Sequence, residues 1–103
     1  MTVRMIAVYD LPVDPEAFDA HYRDVHRPLA CSLPGLRRYT VSTGGRSLRG
    51  EAFHLVAELE WDDLDSLQRA FASEVGRRCA ADVGELQRLA ETRSMIYLVE
   101  EAL

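Results

Sequence analysis

The side chains best suited to moving a proton lie in one short stretch of the chain. Tyr22-Arg23-Asp24-Val25-His26-Arg27-Pro28-Leu29 is followed closely by Leu33-Pro34-Gly35-Leu36-Arg37-Arg38-Tyr39. A tyrosine and a histidine four residues apart sit on adjacent turns of one helix. Imidazole is the common general acid or base near neutrality, and a phenol can orient a substrate or stabilise a developing enolate. A proline two residues after His26 is expected to end the helix there, which places the imidazole at a helix exit where the dipole favours its protonated form. The same residues have a structural use, because a last-turn histidine caps carbonyls and tyrosines at a core edge pack.

The other candidates are weaker. His54 belongs to the strand set Ala52, His54, Val56 and Glu58, opposite Phe53, Leu55, Ala57 and Leu59. The pattern does not decide which set faces the helices, so His54 is either a second pocket group or a hydrogen-bonded edge histidine. His21 reads as a solvated flank residue. His21 and His26 are five apart, off the spacing that aims two imidazoles from one helix at one ion, and no carboxylate completes a metal site by sequence. Gly44-Gly45-Arg46 is a hairpin signal rather than a phosphate cradle, and neither a G-x-S-x-G elbow nor a Cys-His nucleophile pattern occurs.

The elements that must position these groups follow from patterning. Met1 to Tyr9 reads as a strand. Asp14-Pro15-Glu16 supplies an N-cap, a first-turn proline and an acid against the dipole. The helix that follows carries an apolar stripe of Phe18, Tyr22, Val25 and Leu29, with an Asp19–Arg23 pair outside. Leu36 to Thr43 and Ala52 to Trp61 read as a hairpin. Asp62 and Asp63 cap a second helix with Leu64, Leu67 and Phe71, and Ser73-Glu74 restart a third with Val75, Cys79, Val83, Leu86 and Ala90. Gly76 and Gly84 weaken that helix. Ser94 to Glu100 is the last strand. The order is βαββαβ, an α+β ferredoxin-like unit with a four-stranded antiparallel sheet and helices on one face, in a single domain over 1–103. The first and last strands are apolar on both faces, so the face away from the helices needs a cover, and a homodimer packed sheet against sheet supplies one.

Composition excludes several classes. The chain has 103 residues, 48% hydrophobic and 28% charged, with a formal net charge of −5, as in an ordinary globular domain. All 12 basic residues are arginines and they are scattered, so neither nucleic acid nor an anionic membrane is an expected partner. The N-terminal apolar run is too short for a signal peptide or a membrane span, and a cytoplasmic address is expected. Cys31 and Cys79 read as reduced thiols, the second in the core.

The Tyr22-x-x-x-His26-x-Pro28-Leu29 and Leu33-Pro34-Gly35-Leu36-x-x-Tyr39 pattern resembles the signature of EthD-like proteins of the dimeric α+β-barrel superfamily. The similarity continues weakly through Ala57 to Trp61, Leu64 to Ser73 and Ala80-Ala81-Asp82-Val83. The resemblance implies a subunit with a small pocket between sheet and helices, working without metal or organic cofactor on a small hydrophobic or aromatic molecule. It implies His26 as acid/base or polar anchor, Tyr22 and Tyr39 as catalytic pocket groups, and Asp82 as a pocket-side or structural residue. Phe18, Leu29 and His54 join Asp82 in the expected substrate-contacting set. Relatives include isomerases, dehydratases and decarboxylases, so proton transfer on a small cyclic compound in catabolism or polyketide tailoring is the expected reaction. Oxygenation of a phenolic substrate and non-catalytic binding of a metabolite are the alternatives.

Overall fold

The computed structural model describes residues 2–103, so Met1, the expected first strand residue, lies outside the described residues. Four strands, β1 (Thr2–Tyr9), β2 (Arg38–Arg46), β3 (Ala52–Trp61) and β4 (Thr92–Glu100), form one antiparallel sheet in the order β2-β3-β1-β4. The α+β ferredoxin-like topology is the one that the patterning predicts. β2 runs three residues past Thr43, to Arg46, because Gly45 and Arg46 stay in the hairpin ladder opposite Phe53 and Ala52.

Strand register sorts the two sheet faces. Val3, Met5, Ala7 and Tyr9 pair with Trp61, Leu59, Ala57 and Leu55, and Tyr39 and Val41 pair with Leu59 and Ala57. Directly opposed residues share a face. Since Leu55, Ala57, Leu59 and Trp61 are the buried set, this is the face under the helices, and Tyr39 points into it.

The first helical segment departs from expectation. It does not stop at Pro28. An α-helix α1 (Pro15–His21), capped by Asp14 Oδ1 accepting from Ala17 N–H at 3.1 Å, widens into a π-helical turn (Tyr22–His26) and continues as α2 (Arg27–Cys31). In that turn the N–H of Arg27 bonds back to the carbonyl of Tyr22, five residues earlier. Proline inside a helix lacks a donor and crowds the carbonyl four residues before it. The wider turn just ahead of Pro28 gives the ring room, so the helix passes it.

The π turn also changes which residues face the core. The buried residues are Phe18, Tyr22, His26 and Ala30, at intervals of four, while Val25 of the predicted stripe is 43% exposed. A regular α-helix would rotate such a series by about 40° per step, about 120° over three steps. One extra residue absorbed in the wide turn brings the series back to within about 20°. Beyond Cys31, Gly35 turns the chain at φ +72 against Trp61, whose Nε1–H donates to the carbonyl of Pro34 at 3.1 Å. That anchor delivers β2 and Tyr39 to the sheet.

Two further helices, α3 (Leu64–Ala72) and α4 (Glu74–Leu89), complete the layer. Asp63 Oδ1 caps α3 through the N–H of Ser66, whereas Asp62 pairs with Arg37. Ser73 ends α3 and caps α4 through the N–H of Gly76. Gly76 is no mere weakness there: a Cβ would lie 2.0 Å from the Ala70 carbonyl oxygen, so the sharp α3–α4 joint requires glycine. The helices leave β4 uncovered, and Met95 to Val99 are 42–55% exposed on both of its faces. No helix among the described residues is long and apolar enough to cross a membrane.

Candidate functional site

Between sheet and helices lies a cavity of about 560 Å³. Its floor is Met5, Ala7, Ala57 and Leu59, with Leu67, Phe71 and Val83 on the helix side and Met95 and Tyr97 toward the uncovered strand. Polar groups are few: Tyr9, Tyr22, His26, Tyr39, Cys79 and Tyr97. An apolar concavity of this size with a few convergent polar atoms is the usual form of a small-molecule site.

The π turn sets His26 into the wall at 6% exposure, with its ring 5.1 Å from that of Tyr22. Its Nδ1–H donates to Asp82 Oδ2 at 2.9 Å. Asp82 stands on the buried stripe of α4 between Cys79 and Leu86, and its other oxygen, Oδ1, accepts from His21 Nε2–H at 2.8 Å. No hydrogen bond ties up Nε2 of His26 among the described residues, nor is it sealed in, since Thr92 Oγ1 is the one enclosed polar side-chain atom there without a partner. With Nδ1 committed to a carboxylate, Nε2 carries the lone pair toward the cavity.

Burial pushes the His26 imidazole below its ordinary 6.5, against the hydrogen bond and charge of Asp82, which pull it up. The ring is therefore neutral at neutral pH. This reverses the expectation from a helix exit: five residues of helix follow His26, and desolvation outweighs any dipole effect.

Across the cavity the hydroxyls of Tyr22 and Tyr39 are 2.5 Å apart, so one phenol donates to the other and the second O–H is left for a ligand. Burial, followed by the neighbouring phenol, raises Tyr22 far above its ordinary 10.0; burial raises Tyr39 to about 12. Burial likewise raises Tyr9 well above 10.0 and holds the Cys79 thiol up at about 11. These groups stay protonated, as hydrogen-bond donors and not nucleophiles.

The predicted residues separate into two groups. Tyr22, His26 and Tyr39 line the cavity together. Asp82 stands behind His26. Phe18 is fully buried core stacked on Tyr22, Leu29 packs at the core margin, and His54 bonds Asp19 Oδ1 at 2.7 Å with its ring edge-on to Phe18; none of the three lines the cavity. The Asp19–Arg23 pair does not form, because Arg23 turns to Asp24. Nor is His21 a free flank residue. The wide turn brings residues five apart to one side, so His21 and His26 take the two oxygens of one carboxylate. Among the described residues no group of three or more His, Cys, Asp or Glu side chains is placed to hold a metal ion. Two signals point to what patterning missed: an acid on the apolar stripe of α4, and a period of four from Phe18 to Ala30.

Fold and site together define a small ferredoxin-like α+β protein with a histidine-lined apolar cavity. Residues 11–87 match the EthD domain, and the chain belongs to the EthD family. It is 33% identical over 102 residues, 97% of this chain and 96% of the other, to an uncharacterized 11.0 kDa protein of the thcB-thcC intergenic region of Rhodococcus erythropolis. An ethyl tert-butyl ether D (EthD) family protein of Bacillus halodurans superposes with a TM-score of 0.85 at 35% identity, covering 98% of this chain and 100% of that one. SnoaB, a cofactor-independent oxygenase from Streptomyces nogalater, shares the fold at a TM-score of 0.68 and 17% identity, covering 99% and 95%.

Proposed function

We propose that the protein is a cofactor-independent enzyme that removes a proton from a small cyclic or aromatic substrate, with His26 as general base. The supporting observation is the hydrogen bond from His26 Nδ1 to Asp82, which leaves Nε2 unpaired on the wall of an apolar cavity. Asp82 fixes the tautomer and stabilises the imidazolium that forms when Nε2 takes the proton. The Tyr22–Tyr39 pair supplies a phenolic O–H for the oxygen that gains charge as a carbon next to a carbonyl, or a phenol, is deprotonated. The apolar surroundings strengthen both interactions.

The enolate or phenolate then has two fates. Returning the proton at another carbon, or expelling a leaving group, gives isomerase or lyase chemistry. Passing electrons to dioxygen gives monooxygenation, a reading favoured by the fold shared with SnoaB, a cofactor-independent oxygenase. The uncovered apolar strand β4 supports assembly as a homodimer through the sheet, since an edge strand exposed on both faces is otherwise a liability.

The test is wash-out of deuterium from the acidic carbon of cyclic ketones, lactones and anthrone-like phenols, followed by NMR, with dissolved oxygen recorded in parallel. Exchange that slows at least about a hundredfold in His26→Gln supports the base. Unchanged exchange rejects it, and ligand binding without exchange leaves a carrier. Oxygen uptake matched to turnover selects the oxygenase.

A further inference from the structure

The π turn does more than pass a proline. In a regular α-helix His21 and His26, five residues apart, would point about 140° away from each other. Here both imidazoles reach Asp82, one on each carboxylate oxygen, at 2.8 and 2.9 Å. The arrangement is graded in depth: His26 and Asp82 side chains are 8% and 9% exposed, and that of His21 is 25% exposed. The carboxylate thus joins a cavity-wall imidazole to one in contact with solvent.

We infer that His21 is a positioning residue for His26, which holds the second oxygen of Asp82 and couples the basicity of the cavity imidazole to its own charge. The inference rests on the reading of His26 as a base. A single Nδ1–H···O contact leaves a carboxylate free to rotate about its Cβ–Cγ bond. Bonding Oδ1 to a second donor fixes the carboxylate plane, which keeps Oδ2 on Nδ1 and the lone pair on Nε2. When His21 is protonated its positive charge opposes protonation of His26, and it draws part of the carboxylate's charge away.

The remaining groups around His26 do not compete for this role. Tyr22 from its own helix, Tyr9 from β1, Tyr39 from β2 and Cys79 from α4 are kept neutral by burial. Tyr97 of β4 lines the same cavity on its open side. Arg27 acts on the two phenols. The charges that act on His26 are those of Asp82, which pulls its affinity for protons up, and of His21, which pulls it down.

The experiment is a pH titration of the 15N-labelled protein that reads the His26 ring nitrogens by long-range 1H–15N correlation, in the wild type, His21→Gln and His21→Leu. Gln keeps an N–H donor and removes the imidazole's charge. In His21→Gln the Nδ1–H tautomer of His26 is retained and its midpoint rises by at least about half a pH unit, the effect of one charge across a carboxylate even under aqueous screening. In His21→Leu the carboxylate is released and the Nε2–H tautomer appears. A wild-type midpoint and a single Nδ1–H tautomer in both variants overturn the proposal and reduce His21 to an ordinary surface pair. The readout needs no turnover. If His26→Gln exchanges deuterium as fast as the wild type, the base reading falls while the ring titration still reports whether the coupling exists.

Discussion

Two of the histidine–carboxylate pairs, His54–Asp19 and His26–Asp82, each place one member on the first helical segment, and they differ in depth and surroundings. His54 bonds Asp19 at 2.7 Å, shorter than the 2.9 Å between His26 and Asp82. Its side chain and that of Asp19 are 20% and 54% exposed, against 8% and 9% for the other pair. His54 bonds Asp19 and meets the edge of Phe18, tying β3 to α1 away from the cavity, whereas the unpaired Nε2 of His26 belongs to a ring that lines it. Bond length therefore does not separate a site from a clasp. Burial, which strengthens an interaction and shifts proton affinity, and a place on the cavity wall do.

The largest expected effect is on turnover. His26→Gln lowers deuterium wash-out at least about a hundredfold, and His54→Gln changes it by only a small factor; equal losses in the two variants would erase the distinction between site and clasp. The next is on stability. Asp82→Asn removes the charged partner of a buried imidazole and should lower the unfolding free energy by about 2 kcal/mol, while Asp19→Asn, at an exposed pair, should cost less than about 1 kcal/mol. Urea denaturation of both variants measures the contrast.

The smallest effect is a pH dependence. The folded His26 binds a proton less readily than its ordinary 6.5, so below that value the unfolded chain takes up more protons and stability falls as pH drops toward the folded midpoint. Thermal melts of the wild type should show this slope, and His26→Gln should lose its share of it. At the alkaline end the sign reverses: above 10.0 the unfolded chain ionises Tyr9, Tyr22 and Tyr39 before the folded one does, and stability falls as pH rises. Tyr39→Phe, which removes one of those phenols, should flatten that limb.

Strand alternation, caps and glycine–proline punctuation made the βαββαβ order legible, because each is a local preference that the tertiary structure leaves intact. The facing of Tyr39 follows only from strand pairing, since the register of Tyr39 with Leu59 and of Val41 with Ala57 puts it under the helices. His21, Asp82 and the true core face of the first helix were not read from periodicity. A period of 3.6 assigns Val25 and Leu29 to the core, and only a change of winding, which follows from Pro28 and the packing against α4, moves His26 and Ala30 there. Periodicity alone did not single out Asp82, because its partners come from 56 and 61 residues away. The family pattern marked it while the physics of one helix could not.

Pro28 finally bears on the states this segment does not visit. A π turn in a helix is ordinarily one of two registers, and relaxation to regular winding would rotate everything after it. Here the relaxed register would press the proline ring on the Asp24 carbonyl, at a cost of about 3 kcal/mol. That cost alone holds the competing register below about 1%. A residue that the sequence offers as a stop signal thus acts as a ratchet, committing the imidazole to one orientation before any ligand arrives.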